Sequence, residues 1–108
     1  MPPESDLPSL TIVVPAYNEG ENLPVFAPKA IEFCQARGWK LVFVNDGSRD
    51  DTGEILDGFA SLPDVCVIQH KVNRGYGGAL KTGIQHTKTE FLVTVDGDGQ
   101  HRLPAERP

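Results

Sequence analysis

Two carboxylates stand one residue apart in the stretch FLVTVDGDGQH, residues 91–101. Asp96 and Asp98 follow an apolar run, and in an extended chain residues two apart point to the same side. Two carboxylates on one side, with Gly97 giving the backbone freedom between them, suit a hard divalent cation that takes oxygen ligands. Gln100 continues the spacing and could add a carbonyl oxygen. Because Asp-Gly-Asp-Gly is also good turn chemistry, a solvated turn at the end of a strand stays open as the alternative.

Two other interpretations of the paired acids fit the sequence less well. An EF-hand loop that began at Asp96 would need glycine at its sixth position and glutamate at its twelfth, where the chain has His101 and Arg107. An aspartate-nucleophile phosphatase also places Asp-x-Asp-Gly after a strand. That class usually carries the motif on its first strand, followed by threonine or valine, whereas here it follows the fourth apolar run and precedes glutamine. The EF-hand is therefore excluded and the phosphatase is disfavoured.

Four apolar runs alternate with helical patterns and would position these acids. Strands are predicted at 10–14, 40–46, 64–70 and 90–96, and helices at 23–37, 50–62 and 75–87. Continuously apolar runs indicate strands that are covered on both faces, as in a parallel sheet. The alternation of strand and helix predicts one α/β domain with right-handed crossovers. We expect residues 1–9 to be a flexible leader and 10–108 to be the domain.

Proline and acidic residues set several of the predicted element ends. Pro15 closes the first strand. Pro24 fits the first turn of the first helix, but Pro28 does not fit a helix interior, so we expect a late start or a kink. In the second helix, Asp51 or Thr52 is the predicted N-cap.

Unusual polar residues follow every predicted strand. In an open parallel sheet, ligands bind beyond the carboxyl ends of the strands, so these residues are expected at one edge. They are residues 15–19 after the first strand, 45–48 after the second, His70 and 73–75 after the third, and 96–100 after the fourth. This convergence predicts a binding site. Asp46 could accept hydrogen bonds from a nucleoside there, or could simply start a turn.

The stretch NRGYGGALKTG, residues 73–83, looks like a glycine-rich phosphate loop at the start of a helix. It matches neither Gly-x-Gly-x-x-Gly nor the Walker pattern. Ala79 and Gly83 lie about one helical turn apart and are predicted to let the helix pack closely on the sheet. Arg74 and Lys81 could meet a phosphate, although a solvated surface is the expected position for Lys81. The histidines lack ligand spacing and are expected to be plain polar or partly buried residues.

The composition bounds the partners and the cellular environment. A net charge of −5 with no basic run argues against nucleic acid as a partner. A site rich in aspartate would repel a phosphate-bearing ligand unless a cation stood between them. Cys34 and Cys66 have no motif spacing and are expected to be reduced, mostly buried thiols. With no recognisable signal peptide and no apolar run near the roughly 20 residues that span a bilayer, a cytoplasmic location is predicted.

Four stretches occur in the order and at about the spacing of a known family. They are VVPAYNEGENL, VNDGSRDDT, NRGYGGALKTG and DGDGQH. In these stretches the chain resembles the inverting family 2 glycosyltransferases of the GT-A fold, and among them the dolichyl- or polyprenyl-phosphate sugar transferases. The resemblance covers about residues 10–101. It implies a three-layer α/β/α, Rossmann-like half of that fold, with about four parallel strands in the order 3-2-1-4 and three helices.

The resemblance also implies a reaction and a role for individual residues. The donor would be a UDP- or GDP-linked sugar, and the acceptor a molecule such as a polyprenyl phosphate. Binding of the nucleotide sugar would fall to Pro15, Ala16, Tyr17, Glu19, Asp46, Asn73, Gly75 and Asp96. Within that set Asp46 would accept a hydrogen bond from the base. Binding of Mg²⁺ or Mn²⁺ at the donor diphosphate would fall to Asp96, Asp98 and Gln100.

The chain departs from the family in its length and after His101. A GT-A catalytic domain is roughly twice as long, and its second half supplies the acceptor site. We therefore expect a donor-binding half without assignable catalytic residues, whose parent enzyme associates with the cytoplasmic face of a membrane. The alternative is a non-catalytic nucleotide-binding or assembly module. In that case the strand at 90–96 is an exposed sheet edge that drives homo-oligomerisation.

Overall fold

The alternation of strands and helices predicted from the sequence runs through the described part of the chain. The computed structural model describes residues 9–96. The elements are β1 (Leu10–Ala16), α1 (Leu23–Arg37), β2 (Lys40–Asp46), α2 (Thr52–Asp57), β3 (Val65–His70), α3 (Gly75–Gln85) and β4 (Phe91–Thr94). All strand pairs are parallel, and the order across the sheet is β3-β2-β1-β4. The predicted order 3-2-1-4 is confirmed.

Helices cover both faces of the sheet, which confirms the three-layer arrangement. Alternate residues of a strand point to opposite faces. Ile12 of β1 and Phe43 of β2 belong to a core cluster with the buried side chains of α1 and α2. Val13 faces the other way and packs with Val42 and with Ala79 of α3. Because both faces are covered, the two central strands are continuously apolar.

β1 continues through Pro15, where the sequence predicted its end. The carbonyl oxygen of Val13 accepts a hydrogen bond from the backbone N–H of Val95 (3.0 Å), so residues 13 and 15 direct their backbone groups toward β4. The ladder to β4 stops at Val13, whereas the ladder to β2 continues to Ala16. The N–H that proline lacks therefore falls on the side where the ladder has ended, and the pairing of β1 with β2 is intact.

α1 begins at Leu23, with Pro24 in its first turn, so the expected late start is wrong. Pro28 lies inside the helix. A residue with an N–H at position 28 would donate it to the carbonyl of Pro24, four residues earlier. The missing hydrogen bond is therefore one at the N-terminal end of the helix. Gly38 ends the helix in a left-handed conformation with φ of 72°.

α2 is shorter than the predicted helix at 50–62, because it ends at Asp57 and is followed by turns. Neither predicted cap makes a side-chain capping bond; instead a carboxylate oxygen of Asp50 accepts the backbone N–H of Thr52 at 2.9 Å. The third and fourth strands also occupy only part of their predicted ranges, since β3 begins at Val65 and β4 ends at Thr94.

α3 lies close against the sheet, as Ala79 and Gly83 predicted. Ala79 is 1% exposed. A methyl group on Gly83 would lie 2.4 Å from Cγ1 of Val13, which is far inside van der Waals contact. Small residues at these positions therefore set the distance between α3 and β1.

The two cysteines are free thiols in different environments. Cys34 is buried in α1, and burial raises the pKa of its thiol to about 11, against a small opposing effect of the Arg37 charge. Cys66 is exposed on β3, so the expectation of mostly buried thiols is correct for Cys34 alone. Among residues 9–96, no helix is both long enough and apolar enough to cross a membrane.

Candidate functional site

A cavity of about 270 Å³ opens at the carboxyl ends of the central strands. Its lining residues are Pro15, Ala16, Tyr17, Glu19, Asp46, Asn73, Tyr76, Ala79 and Asp96. Seven of the eight residues that the resemblance assigned to nucleotide-sugar binding lie on this lining, and Gly75 does not. The strand ends therefore converge on one cavity, as the sequence predicted.

The loop after β1 is held by side chains of the loop after β2. The backbone N–H of Asn18 donates to Oγ of Ser48 (2.9 Å), and Oδ1 of Asn18 accepts the backbone N–H of Arg49 (2.8 Å). Asn18 has a φ of 51°, a left-handed conformation that asparagine adopts more readily than most residues. These bonds hold Asn18, the residue between Tyr17 and Glu19, which both line the cavity.

Asp50 completes this connection between the two loops. Its carboxylate accepts the backbone N–H of Thr52 (2.9 Å) and that of Gly20 (3.0 Å), and the Thr52 hydroxyl oxygen accepts the backbone N–H of Glu19 (2.9 Å). Partial desolvation acts to raise the pKa of Asp50, but the hydrogen bonds from Thr52 and Gly20 outweigh it, so the pKa lies below its ordinary value. Much of the motif VNDGSRDDT thus serves to shape the loops.

Asp46 is the buried acid of the site, with a side chain only 5% exposed. Its Oδ1 accepts two hydrogen bonds, from Nδ1 of His70 (2.9 Å) and from the backbone N–H of Arg74 (2.8 Å). Its backbone carbonyl accepts the side-chain amide of Asn73 (3.0 Å). The acid that ends β2 is therefore tied to the segment that leads into α3.

His70 was expected to be a plain polar or partly buried residue, but it is buried and makes two side-chain hydrogen bonds. Its side chain is 3% exposed, and Nε2 lies 2.8 Å from the hydroxyl oxygen of Thr82 in α3. In the parallel register of β2 and β3, Asp46 stands opposite His70. Two strands of similar length that end in Asn-Asp and Gln-His were the signal that could have revealed this pair.

Tyr76 is a second residue that sequence reasoning missed. It is 58% exposed, lines the cavity, and its hydroxyl donates to Oδ1 of Asp96 over 3.4 Å. Partial burial and the Asp96 carboxylate both raise the pKa of Tyr76. An aromatic residue directly after the predicted Gly75 was the available signal. Ala79, predicted for packing, also lines the cavity.

The predicted metal ligands are placed only in part. Asp96 is on the cavity lining, whereas Asp98 and Gln100 lie outside the described residues. Within residues 9–96, no group of three or more histidine, cysteine, aspartate or glutamate side chains could hold a metal ion. Lys81 is exposed, in agreement with its expected solvated position.

The arrangement suits a ligand with a flat apolar part and several hydrogen-bonding groups. Pro15, Ala16 and Ala79 give an apolar surface, and the half-exposed ring of Tyr17 stands at its border. Asp46 and Asp96 bring carboxylates to the same cavity. Carboxylates accept hydrogen bonds from N–H and O–H groups, and they attract cations.

Comparison with known proteins agrees with the resemblance to family 2 glycosyltransferases. The family model for glycosyl transferase family 2 matches residues 11–103. A dolichyl-phosphate beta-glucosyltransferase of Trichomonas vaginalis is 33% identical over 102 residues, which cover 87% of this chain and 32% of that protein. An undecaprenyl-phosphate 4-deoxy-4-formamido-L-arabinose transferase of Pectobacterium atrosepticum is 36% identical over 107 residues, with 95% and 32% covered. The chain thus spans about a third of the length of these curated relatives.

Solved structures share the fold. A mannosyltransferase from Pyrobaculum calidifontis, in complex with GDP-Man and Mn²⁺, superimposes with a TM-score of 0.73 at 27% identity, over 84% of this chain and 28% of that one. TarS from S. aureus superimposes with a TM-score of 0.71 at 24% identity, over 83% and 27%. Since the family model covers most of the sequence, the chain belongs to glycosyl transferase family 2.

Proposed function

We propose that this chain is the donor-binding part of a glycosyltransferase that moves a sugar from a nucleoside diphosphate sugar to an acceptor such as a polyprenyl phosphate. The observation that supports this most strongly is the cavity, where residues at or just after the carboxyl ends of β1, β2, β3 and β4 meet. In parallel α/β sheets, that edge is where nucleotides bind.

The relatives support the chemistry of donor and acceptor. Two of them are named as transferases that act on dolichyl phosphate and undecaprenyl phosphate. The solved mannosyltransferase carries GDP-Man and Mn²⁺. A hexose or a modified pentose on a nucleoside diphosphate is thus the donor class to test. If the acceptor is a lipid phosphate, the whole enzyme works at a membrane surface, and we propose the cytoplasmic face.

Each cavity residue has a proposed role in holding the donor. Asp46 accepts a hydrogen bond from the base, and Tyr17 and Glu19 border the base and ribose. Pro15, Ala16 and Asn73 form the remaining wall, and Gly75, which is not on the lining, donates its backbone N–H to Oδ1 of Asn73. Asp96 lies toward the ribose or the metal.

Asp96, Asp98 and Gln100 would hold Mg²⁺ or Mn²⁺. Asp96 is the described member of this set, and a carboxylate at the cavity is the type of ligand that hard cations take. When bound, the cation would neutralise the diphosphate and stabilise its charge as it departs. Without a cation, the acids around the cavity repel the diphosphate.

The transfer needs no protein base when the acceptor is a phosphate. An anionic oxygen of the acceptor forms a bond to the anomeric carbon from the face opposite the leaving group. The bond between that carbon and the terminal phosphate oxygen of the donor breaks, and its electron pair leaves with the nucleoside diphosphate. The configuration of the anomeric carbon is thereby inverted.

Calorimetric titration of the chain with UDP- and GDP-sugars, with and without Mn²⁺, tests the proposal. We expect binding of at least one donor that strengthens when Mn²⁺ is present and weakens in Asp46→Asn. Asp64→Asn is the matched control, because Asp64 is an exposed acid that pairs with Lys40, away from the cavity. Absence of binding by every donor under both conditions would contradict the proposal.

A purely non-catalytic assembly module is not favoured by the family match. Self-association is still worth measuring, because β4 is an edge strand of the sheet formed by residues 9–96 and its Phe91 is 56% exposed. Exposed strand edges tend to pair with other chains. We therefore propose homo-oligomerisation through β4 as a property of this chain, to be tested by light scattering over a range of concentrations. A monomer at high concentration would contradict it.

A further inference from the structure

A buried hydrogen-bonded series links the cavity to the interior of α3. It runs from Asp46 through His70 to Thr82, with separations of 2.9 and 2.8 Å. All three residues are buried. The proposed role of Asp46, which is to accept a hydrogen bond from the base, does not explain why a histidine and a threonine stand behind it.

The hydrogen on one His70 nitrogen follows from the chemistry of its partner. An ionised carboxylate only accepts hydrogen bonds, so Nδ1 of His70 carries a hydrogen and donates it to Asp46. The other nitrogen is paired with the Thr82 hydroxyl, which also reaches the backbone carbonyl of Gly78 at 3.1 Å. With both nitrogens engaged, the ring has a fixed orientation.

The two oxygens of Asp46 are in different situations. Oδ1 accepts a hydrogen bond from Nδ1 of His70 and another from the backbone N–H of Arg74. Oδ2 has no hydrogen-bond partner within residues 9–96. In that part of the chain, every side-chain oxygen or nitrogen that is buried has a hydrogen-bond partner. Oδ2 is therefore accessible, and the accessible space next to Asp46 is the cavity that it lines.

We propose that His70 is a positioning residue for nucleobase recognition: it holds Asp46 through Oδ1, so that Oδ2 alone is offered to the base. This inference rests on the proposed donor site. A single acceptor oxygen matches a base with one N–H on its pairing edge, as in uracil. Guanine presents two adjacent donors, which are best met by both oxygens of a carboxylate. The geometry therefore favours a uridine nucleotide.

The test compares the nucleotide affinities of Asp46→Asn and four further variants by calorimetry. His70→Ala removes the hydrogen bond to Oδ1, and His70→Asn returns one N–H donor near the position of Nδ1. Thr82→Val removes the partner of Nε2 and keeps Asp46 and His70. His86→Ala is the control, because the exposed His86, which follows α3 directly, bonds the backbone carbonyl of Thr82 and does not line the cavity. The ligands are UDP, GDP and N3-methyl-UDP, which lacks the N–H of the uracil edge.

We expect UDP to bind more tightly than GDP and than N3-methyl-UDP. His70→Ala lowers the affinity for UDP about tenfold, which is the scale of one hydrogen bond with a charged partner. The affinity for N3-methyl-UDP stays unchanged in this variant, because that ligand has no N–H to donate to Oδ2. His70→Asn binds UDP almost as tightly as the wild type does. Thr82→Val loses less affinity for UDP than His70→Ala does, and His86→Ala loses none.

Several results would overturn the inference. An equal loss of UDP and N3-methyl-UDP in His70→Ala would mean a general structural role, and tighter binding of GDP than UDP would contradict the single acceptor. If Asp46→Asn weakens UDP but His70→Ala and Thr82→Val do not, the inference fails and the donor site stands. If wild type binds no nucleotide, both fail.

Nitrogen-15 NMR of the His70 ring supplies a readout that does not depend on nucleotide binding. It should show a hydrogen on Nδ1, in contrast to the Nε2 form that a free neutral imidazole favours. An unprotonated Nδ1 would overturn the inference.

Discussion

Gly47 and Asn73 approach so closely that a methyl group on Gly47 would lie 2.4 Å from the backbone nitrogen of Asn73. Gly47 follows Asp46 at the end of β2 and has a φ of 69°. The contact lets the segment before α3 lie over the end of β2, where Asn73 donates to the Asp46 carbonyl and Arg74 to its carboxylate. The cavity wall therefore depends on a residue without a side chain.

Gly47→Ala should destabilise the chain and weaken nucleotide binding. The left-handed conformation alone costs about 1–2 kcal/mol in a residue with a Cβ. Gly38→Ala isolates that cost, because Gly38 has a φ of 72° but no atom within 4 Å of an added methyl group. Urea unfolding should show a larger loss for Gly47→Ala than for Gly38→Ala, and calorimetry should show weaker nucleotide binding in Gly47→Ala only. Equal losses would mean that the contact with Asn73 is unimportant.

A pair of glycines in α3 should respond in opposite directions. Gly83→Ala forces a methyl group against Val13, and overpacking of this kind costs about 1–3 kcal/mol. Gly77→Ala meets no atom within 4 Å, and a helical alanine is about 0.5–1 kcal/mol better than glycine. Free energies of unfolding from urea titrations check both signs. A stabilising Gly83→Ala would contradict the close packing of α3 on β1.

Acid should loosen the two loops through Asp50. The folded-state pKa of Asp50 is lower than its ordinary value of 3.8, so its contribution to stability is present above 3.8 and is lost as the pH falls through the folded pKa. The stability difference between wild type and Asp50→Ala should thus be constant from about pH 7 to pH 5 and shrink in more acidic solution. Unfolding titrations across that range measure it. A difference that grows toward acid would contradict the assignment.

The two thiols should differ in reactivity. Cys66 is exposed, whereas Cys34 is buried with its pKa raised to about 11, so little thiolate forms at neutral pH. Iodoacetamide followed by mass spectrometry should modify Cys66 in the folded chain and Cys34 only after unfolding. Rapid modification of Cys34 in the folded chain would contradict its place in the core.

Much of the fold follows from sequence patterns, because continuous apolar runs and their polar ends are local features. β2 was predicted with the bounds that the structure has, and the helical spacing over 23–37 matches α1, although the late start expected from Pro28 is wrong. The continuation of β1 through Pro15 was not predictable, because it depends on which neighbour the missing N–H faces and where that strand ends. The helix at 50–62 was predicted too long, because the apolar spacing continues through Phe59 while Asp57 already ends the helix.

The candidate site was predictable where a residue and its chemistry are adjacent in the chain. The cavity-lining residues after β1 and the acid Asp46 are of this kind. His70 was missed because its partner stands on a neighbouring strand and depends on register. Tyr76 was missed because its contact with Asp96 joins α3 to the end of β4.

The most direct test of the proposed donor site is an NMR titration of the nitrogen-15-labelled chain with UDP- and GDP-sugars in the presence of Mg²⁺. We expect the amide signals of four residues around the cavity to shift together and saturate, namely those of Tyr17, Asp46, Asn73 and Tyr76. Asp46→Asn should suppress these shifts, and Asp64→Asn should not. Two results would contradict the proposed donor site. One is the absence of shifts with any donor, and the other is shifts confined to the groove at the amino ends of the strands, which is lined by Lys40, Asp64 and His86.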